Sequence, residues 1–324
     1  MKRIDHYWYH KNWVAWALWP LSVLFCLLVW FRRRGYRLGW ITQTQFAVPV
    51  IVVGNISVGG TGKTPTVVAL IEWLKKQGYR PGVISRGYCG QAEYWPQDVT
   101  EKSLAMDVGD EAILIAQRCQ CPMMVGPDRV ASVRALLEKY ECDVVVSDDG
   151  LQHYRMGRAV EIVVLDGERR YGNGFCLPAG PLREPRKRAE KVDIVIANGM
   201  AAEGEYLMTL QPVALHQVAD SQISKPVNAL KGHKVHAVAG IGNPERFFKQ
   251  LERLGYDVVR HAFDDHYAFS AEDLQFELDL PIVMTEKDAV KCVSFASDKH
   301  WYMSVRGQLE PALFQALEAQ LKKD

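Results

Sequence analysis

Two hydrophobic patterns divide this chain. From Asn12 to Phe31 no residue is charged, and twenty helical residues at about 1.5 Å each reach roughly 30 Å, the thickness of a hydrocarbon core. Beyond residue 47, short β-branched runs alternate with amphipathic stretches, the signature of a mostly parallel sheet covered by helices. Strands are expected over 48–55, 81–85, 123–125, 143–147, 161–165 and 192–197, and helices over 64–77, 110–118 and 128–140, where apolar residues recur three and four apart. The pattern loosens over 208–232, with 210–218 strand-like and a polar stretch after it. A second, smaller α/β unit follows, with strands at 235–239, 257–262, 281–285 and 301–305 and a helix over 244–254. The fold class is therefore a doubly wound α/β sheet with a smaller C-terminal α/β domain and an N-terminal membrane-associated helix.

Six tryptophans (Trp8, Trp13, Trp16, Trp19, Trp30, Trp40) crowd the N-terminal segment, and Arg32, Arg33, Arg34 and Arg37 close it. Indoles at the ends of an apolar run and a basic stop on its cytoplasmic side are features of membrane attachment. Lys2, Arg3 and Lys11 precede the run, so the orientation signal is divided. Pro20 interrupts it, which sets a shallow, monotopic insertion against a full span. A cleaved signal peptide would end in small residues, whereas this run ends in Trp-Phe-Arg-Arg-Arg. A buried core helix is the soluble alternative, opposed by indoles on every face.

Composition adds exclusions. A net charge of +1 gives no field for nucleic acid. The seven cysteines are scattered and odd in number, which suits a reducing compartment and reads Cys119 and Cys121 as buried thiols rather than zinc ligands.

The chemistry is concentrated in the loop Ser57-Val58-Gly59-Gly60-Thr61-Gly62-Lys63-Thr64, between an apolar strand and a helix. That context is the one a phosphate-binding loop needs. Glycines let backbone N–H groups turn inward around phosphates, Lys63 can reach the β and γ phosphates, and Thr64 can hold Mg²⁺. Ser57 stands where the strict pattern has glycine. Asp148-Asp149-Gly150 ends the strand 143–147 and supplies carboxylates for the metal, one of the two aspartates serving it and the other a neighbouring donor or the substrate. Asp110, at a helix start, is an N-cap or a site residue, and His266 a structural hydrogen-bonder or a catalyst. Thr285-Glu286-Lys287-Asp288 reads as a strand end leading into a capped helix, or as a run that a nucleotide touches. Arg183, Arg186, Lys187, Arg188 and Lys191 form either a solvated face or a cradle for an anionic lipid head group.

These motifs together resemble the tetraacyldisaccharide 4′-kinases, the lipid A 4′-kinases of Gram-negative bacteria. The resemblance runs through Val53-Gly54-Asn55, Gly59 to Pro65, Ser85-Arg86-Gly87-Tyr88, Gly109-Asp110-Glu111, Asp148 to His153, Pro178 to Pro185, Gly240 to Phe247 and Thr285 to Ala289. It implies a P-loop kinase domain over 41–225, flanked by an anchoring segment over 1–40 and the smaller domain over 226–324. It implies transfer of the ATP γ-phosphoryl group to the 4′-hydroxyl of a tetraacylated glucosamine disaccharide 1-phosphate, giving lipid IVA, at the cytoplasmic face of the inner membrane, with ATP and Mg²⁺ as cofactors and no obligate protein partner. By the same similarity Asp110 is the acid–base aspartate and His266 its partner. Asp148, Asp149, Glu111 and Gln152 belong to the Mg²⁺ and substrate neighbourhood, and Arg86 is a phosphate contact; Arg183 is placed with Arg86 and Gln152 on the substrate. The alternative from another class is a membrane-associated P-loop ATPase switch of the partition or metallochaperone kind. Partition-type ATPases carry lysine where this chain has Val58.

Overall fold

A computed structural model describes residues 7–100 and 102–322; Lys2 and Arg3 lie outside the described residues. Helix α1 (Trp13–Arg37) is followed by β1 (Val50–Gly54), α2 (Lys63–Lys76), β2 (Pro81–Ser85) and the short β3 (Gln97–Asp98). Then come α3 (Ala105–Val108), α4 (Asp110–Cys119), β4 (Met123–Val125), α5 (Arg129–Lys139), β5 (Val144–Asp148), β6 (Val160–Asp166) and β7 (Ile194–Asn198). The second half holds β8 (Tyr206–Gln217), β9 (Ser224–Pro226), β10 (Lys234–Ala239), α6 (Pro244–Arg253), β11 (Asp257–Ala262), β12 (Ile282–Thr285), α7 (Glu286–Cys292), β13 (His300–Leu309) and α8 (Pro311–Leu321).

All the strands join one sheet in the order β11-β10-β12-β13-β8-β7-β6-β1-β5-β2-β4-β3, with β9 on β8. Every residue of β1 and β5 is buried, as expected for central parallel strands covered on both faces. β5 and β6 flank β1 in parallel register, Val53 opposite both Asp148 and Ile162. The loops leaving β1 and β5 thus emerge side by side at the strands' carboxyl ends, where open α/β sheets take their ligands.

The segment where the hydrophobic pattern loosens is spanned by a twelve-residue strand. β8 pairs parallel with β7 through Tyr206 to Met208 and antiparallel with β13 as far as Gln217, so it welds the two halves into one sheet. β13 runs longer than its apolar core predicts, because its half-exposed end Arg306-Gly307-Gln308 is held by the ladder to β8. α8, which the sequence pattern leaves unassigned, returns to the first half: Leu313 and Leu317 are fully buried where the helix packs on β6 and β7, and Phe314 stacks on Trp73 at 5.2 Å.

α1 runs through Pro20 without a break, capped at its start by the Asn12 side chain accepting from Ala15 N at 2.9 Å. Its inward stripe, marked by Ala15 and Ser22, lies against the body, while Gly35 is covered by Ile41 of the turn that follows the helix. Ser22 donates to the Cys176 carbonyl at 2.7 Å, Trp16 packs on Phe175 and Tyr36 on Tyr154. The opposite face, with Trp13 79% exposed and Leu24, Leu28 and Phe31 also in solvent, is apolar and uncovered.

Candidate active site

The loop 57–64 wraps from β1 into α2, and its shape depends on two glycines in left-handed conformations, Gly59 (φ 108°) and Gly62 (φ 102°). A Cβ on Gly62 would also stand 2.7 Å from Asn198 Nδ2 and from Met208. Side-chain amides brace the turn: Asn55 donates to Gly59 O at 3.3 Å and Asn198, at the end of β7, to Thr61 O at 3.1 Å. Val58 N donates to Pro181 O at 2.8 Å, so the 178–185 segment supports the loop from outside. Lys63 and Thr64 open α2 and, with the loop from Val58 onward, line a cleft of about 350 Å³. The N-terminus of α2 points its free N–H groups into this cleft, a natural seat for phosphate oxygens.

Carboxylates enter from β5. Asp148 is buried; its Oδ1 has no hydrogen-bond partner and its Oδ2 is 3.5 Å from Ser85 Oγ. Burial, reinforced by the charge of Glu111, pushes its carboxyl up to about 7. Asp149 sits in a left-handed conformation (φ 48°) that an aspartate tolerates better than most residues. Burial raises its carboxyl too, but Lys63, 3.7 Å away, and Arg183, at 3.1 Å, outweigh it and hold the carboxyl below its ordinary value. Arg129, almost fully buried on α5, donates toward the Asp148 and Asp149 carbonyls at 3.3 and 3.4 Å and fixes the turn from behind.

The second constellation spans the two halves. Asp110, at the first position of α4, accepts from Glu111 N at 2.9 Å; the N-cap is Gly109, so Asp110 is not the cap and keeps its other oxygen for a partner. That oxygen, Oδ2, lies 3.3 Å from His266 Nδ1, though the pair is angled short of a full hydrogen bond. Burial raises the Asp110 carboxyl, but His266, Lys287 and Lys291 outweigh it and the net direction is down. His266 adopts φ 62° and its ring meets Tyr88 edge-on at 4.8 Å. Lys287 Nζ lies 3.1 Å from His266 Nε2. An ammonium has only donors, so Nε2 accepts and the ring proton sits on Nδ1, facing Asp110. Lys287 also reaches Glu111 at 3.1 Å and Asp265 at 3.2 Å, which uses all three of its N–H bonds. Burial alone would depress this ammonium, yet three carboxylates around it raise its pKa.

Of the other residues singled out in the sequence, Arg86, Glu111 and Arg183 line the cleft. Gln152 faces the scaffold, donating to Asn55 O at 3.0 Å and Glu184 Oε1 at 2.9 Å. The basic run divides. Arg186, Lys187 and Lys191 are exposed, Arg183 turns to Asp149, and Arg188 is buried between Glu161 and Glu184. Cys119 is buried and Cys121 half-buried. Arg129 and Asn198 were not anticipated; Lys287 was singled out only as part of the Thr285-Glu286-Lys287-Asp288 run that a nucleotide could touch, and it does line the cleft.

The sequence and fold are shared with a known group. The family model for LpxK, tetraacyldisaccharide-1-P 4′-kinase, matches residues 14–322. A tetraacyldisaccharide 4′-kinase of Nitrosococcus oceani is 50% identical over 97% of this chain and 92% of its own length. One of Methylobacillus flagellatus is 49% identical over 99% of this chain and 96% of its own. The crystal structure of LpxK from Aquifex aeolicus in complex with ATP superposes with a TM-score of 0.79 at 28% identity, covering 95% of this chain and 99% of that one. With Lys63, Asp149 and His266 lining one cleft, Asp148 and Asp110 buried beside them, and relatives matching end to end, the chain belongs to the tetraacyldisaccharide-1-P 4′-kinase family.

Proposed function

We propose that this chain transfers the γ-phosphoryl group of ATP to the 4′-hydroxyl of tetraacyldisaccharide 1-phosphate, forming lipid IVA in lipid A biosynthesis. The observation that carries the proposal is the Asp110–His266 couple, joined by Lys287 to Glu111 in the cleft floored by the phosphate loop. A sugar hydroxyl is a poor nucleophile, so a carboxylate must take its proton as the phosphoryl group leaves ATP. Asp110, held ionised by its neighbours, is that base. His266, with its proton on Nδ1, orients the carboxylate. Lys63 and the loop N–H groups stabilise charge spreading over the phosphoryl oxygens.

Mg²⁺ fits the same residues. Asp148 presents a buried, unpartnered oxygen and Thr64 a hydroxyl at the start of α2. Among the described residues no cluster of three or more His, Cys, Asp or Glu forms a free-standing metal site, which suits an ion held by one or two protein ligands together with phosphates. Bound there, Mg²⁺ supplies charge neutralisation on the phosphates.

The lobe 41–225, completed by α8 from the far end of the chain, carries the phosphate loop and the remainder of 226–324 carries His266, so orientation of one lobe on the other completes the site. α1 serves as the anchor of residues 1–40 at the cytoplasmic face of the inner membrane. Because its inward stripe is docked along the body, the uncovered apolar face enters lipid sideways, as in a monotopic protein. A partition-type switch is not favoured, since the chain's family and its relatives are kinases. Purified full-length chain, labelled ATP and tetraacyldisaccharide 1-phosphate in detergent test the proposal. Product is expected from the wild type and loss of product from Lys63→Ala and Asp110→Ala. ATP turnover without the acylated sugar, and none onto it, would overturn it.

A further inference from the structure

The segment that leaves β6 touches three parts of the molecule at once. Asp166, the last residue of β6, is buried; its Oδ1 accepts from Glu168 N and Arg169 N at 3.0 Å and pairs with Arg246 at 2.8 Å, and its Oδ2 is 3.5 Å from Asn243 Nδ2. The turn so fixed aims Arg169 across the molecule. Its guanidinium donates to the carbonyl of Gly242 at 2.6 Å, lies 5.0 Å over the Tyr9 ring and is 3.5 Å from the Tyr9 hydroxyl.

Gly242 is the point at which the C-terminal lobe meets the phosphate loop. A Cβ placed on it would stand 2.5 Å from Gly60 N and 3.2 Å from Gly59 Cα, so two glycine backbones are in direct contact. Tyr9 belongs to the segment that leads into α1, and this segment is tied down by Trp8, whose indole donates to Pro178 O at 3.0 Å and whose carbonyl accepts from Asn173 N at 2.7 Å. Arg169 lies on the outer side of the phosphate loop and does not line the nucleotide cleft. Its contacts reach nucleotide only through the backbone it holds.

We propose that Arg169 is a positioning residue for nucleotide binding, tying the segment leading into α1, through Tyr9, to the Gly242 contact that sets the tip of the phosphate loop. A flat guanidinium is suited to this bridge, because it stacks on a ring while donating in its own plane, which an ammonium cannot do. Without it the Gly242 loop keeps the contacts of Asp166 and the Gly240 N–Asp288 bond at its start, and the amides of Gly59 and Gly60 lose their backstop. The inference rests on the kinase proposal only in taking ATP as the ligand of the loop.

The test is ATP affinity of the full-length chain in detergent, measured by equilibrium titration without lipid acceptor, for Arg169→Leu, Tyr9→Leu, the double variant and Arg169→Lys. A charge-assisted hydrogen bond is lost in Arg169→Leu, so its Kd should rise about tenfold. Tyr9→Leu, remote from nucleotide, should raise it about threefold, the double variant should match Arg169→Leu, and Arg169→Lys should recover part of the loss. ATP affinity unchanged in Arg169→Leu, or a double variant whose loss is the product of the single losses, overturns the proposal. If Arg169→Leu does not fold, the same cycle run with Arg169→Lys decides it by the same criterion. A wild type that binds no ATP overturns this proposal and the kinase assignment together, whereas normal binding in both wild type and Arg169→Leu overturns this one alone.

Discussion

At the scale of single residues, the site sets two carboxylates to opposite tasks by their surroundings. Asp110 is surrounded by cationic and histidine partners and stays ionised, whereas Asp148 is buried beside Glu111 and holds its proton up to about pH 7. A carboxyl whose folded value exceeds its unfolded value contributes most to stability in acid, and the contribution is lost as pH rises through the folded value. Asp148→Asn should therefore raise the melting temperature of the metal-free protein by about a few degrees at pH 8, with a smaller gain at pH 5 that disappears only below the ordinary carboxyl value of 3.8, while kinase turnover falls. Thermal melts in EDTA at the two pH values check this, and a gain equal at both would refute it. His266→Ala removes the group that orients the base, so kcat should fall by about 10² or more with ATP affinity changed little; steady-state kinetics beside nucleotide titration separate the two effects. Lys63, Asp110 and Asp148 were legible in sequence because glycine spacing, a helix start and a strand end each fix where a side chain points. The bridging role of Lys287 was not, since its three partners arrive from 111, 265 and 266 and only the assembled fold brings them together.

At the scale of elements, β1, α2 and β5 follow directly from their apolar runs, and a loop between such elements has little freedom. Gly54 shows how tightly they fit: a Cβ there would stand 2.6 Å from that of Leu151. Gly54→Ala should destabilise the protein by about 1–3 kcal/mol, measured by chemical denaturation, because the turn after Asp149 cannot retreat from β1. β8 and α8 were poorly legible, for a physical reason. β8 alternates only weakly and is held by neighbours on both sides, and α8 goes unassigned because its burial, with Leu313 and Leu317 in the core of the first half, depends on a long-range return. α1 was legible as apolar but not as docked, since the small residues Ala15 and Ser22 that seat it are inconspicuous among tryptophans. Leu24→Glu with Leu28→Glu on its uncovered face should abolish vesicle sedimentation yet leave ATP affinity within about twofold. Retained sedimentation would remove that face from membrane contact.

At the scale of the whole molecule, the lobes are joined by the continuous sheet and, across the cleft, by ion pairs. Arg118 grips Glu286 through two bonds of 2.7 Å, Arg306 pairs with Glu72, and Lys287 bridges to Glu111. Partly exposed bidentate pairs of this kind contribute modestly to stability, so their larger effect falls on lobe orientation. Arg118→Ala should lower the melting temperature by only about 1–3 °C while reducing kcat/KM several-fold, a disproportion that calorimetry and kinetics together reveal. A proportionate loss would mean the pair is only structural.

The seam between α1 and the body has a geometric corollary. A helix riveted lengthwise by Ser22, Trp16 and Tyr36 cannot swing, so once its free flank sinks into lipid the whole protein floats at one draught. Asp110, the proposed base, then hangs at a constant altitude over the headgroups, and on that proposal an alcohol is admitted or refused by how far it stands above the water line.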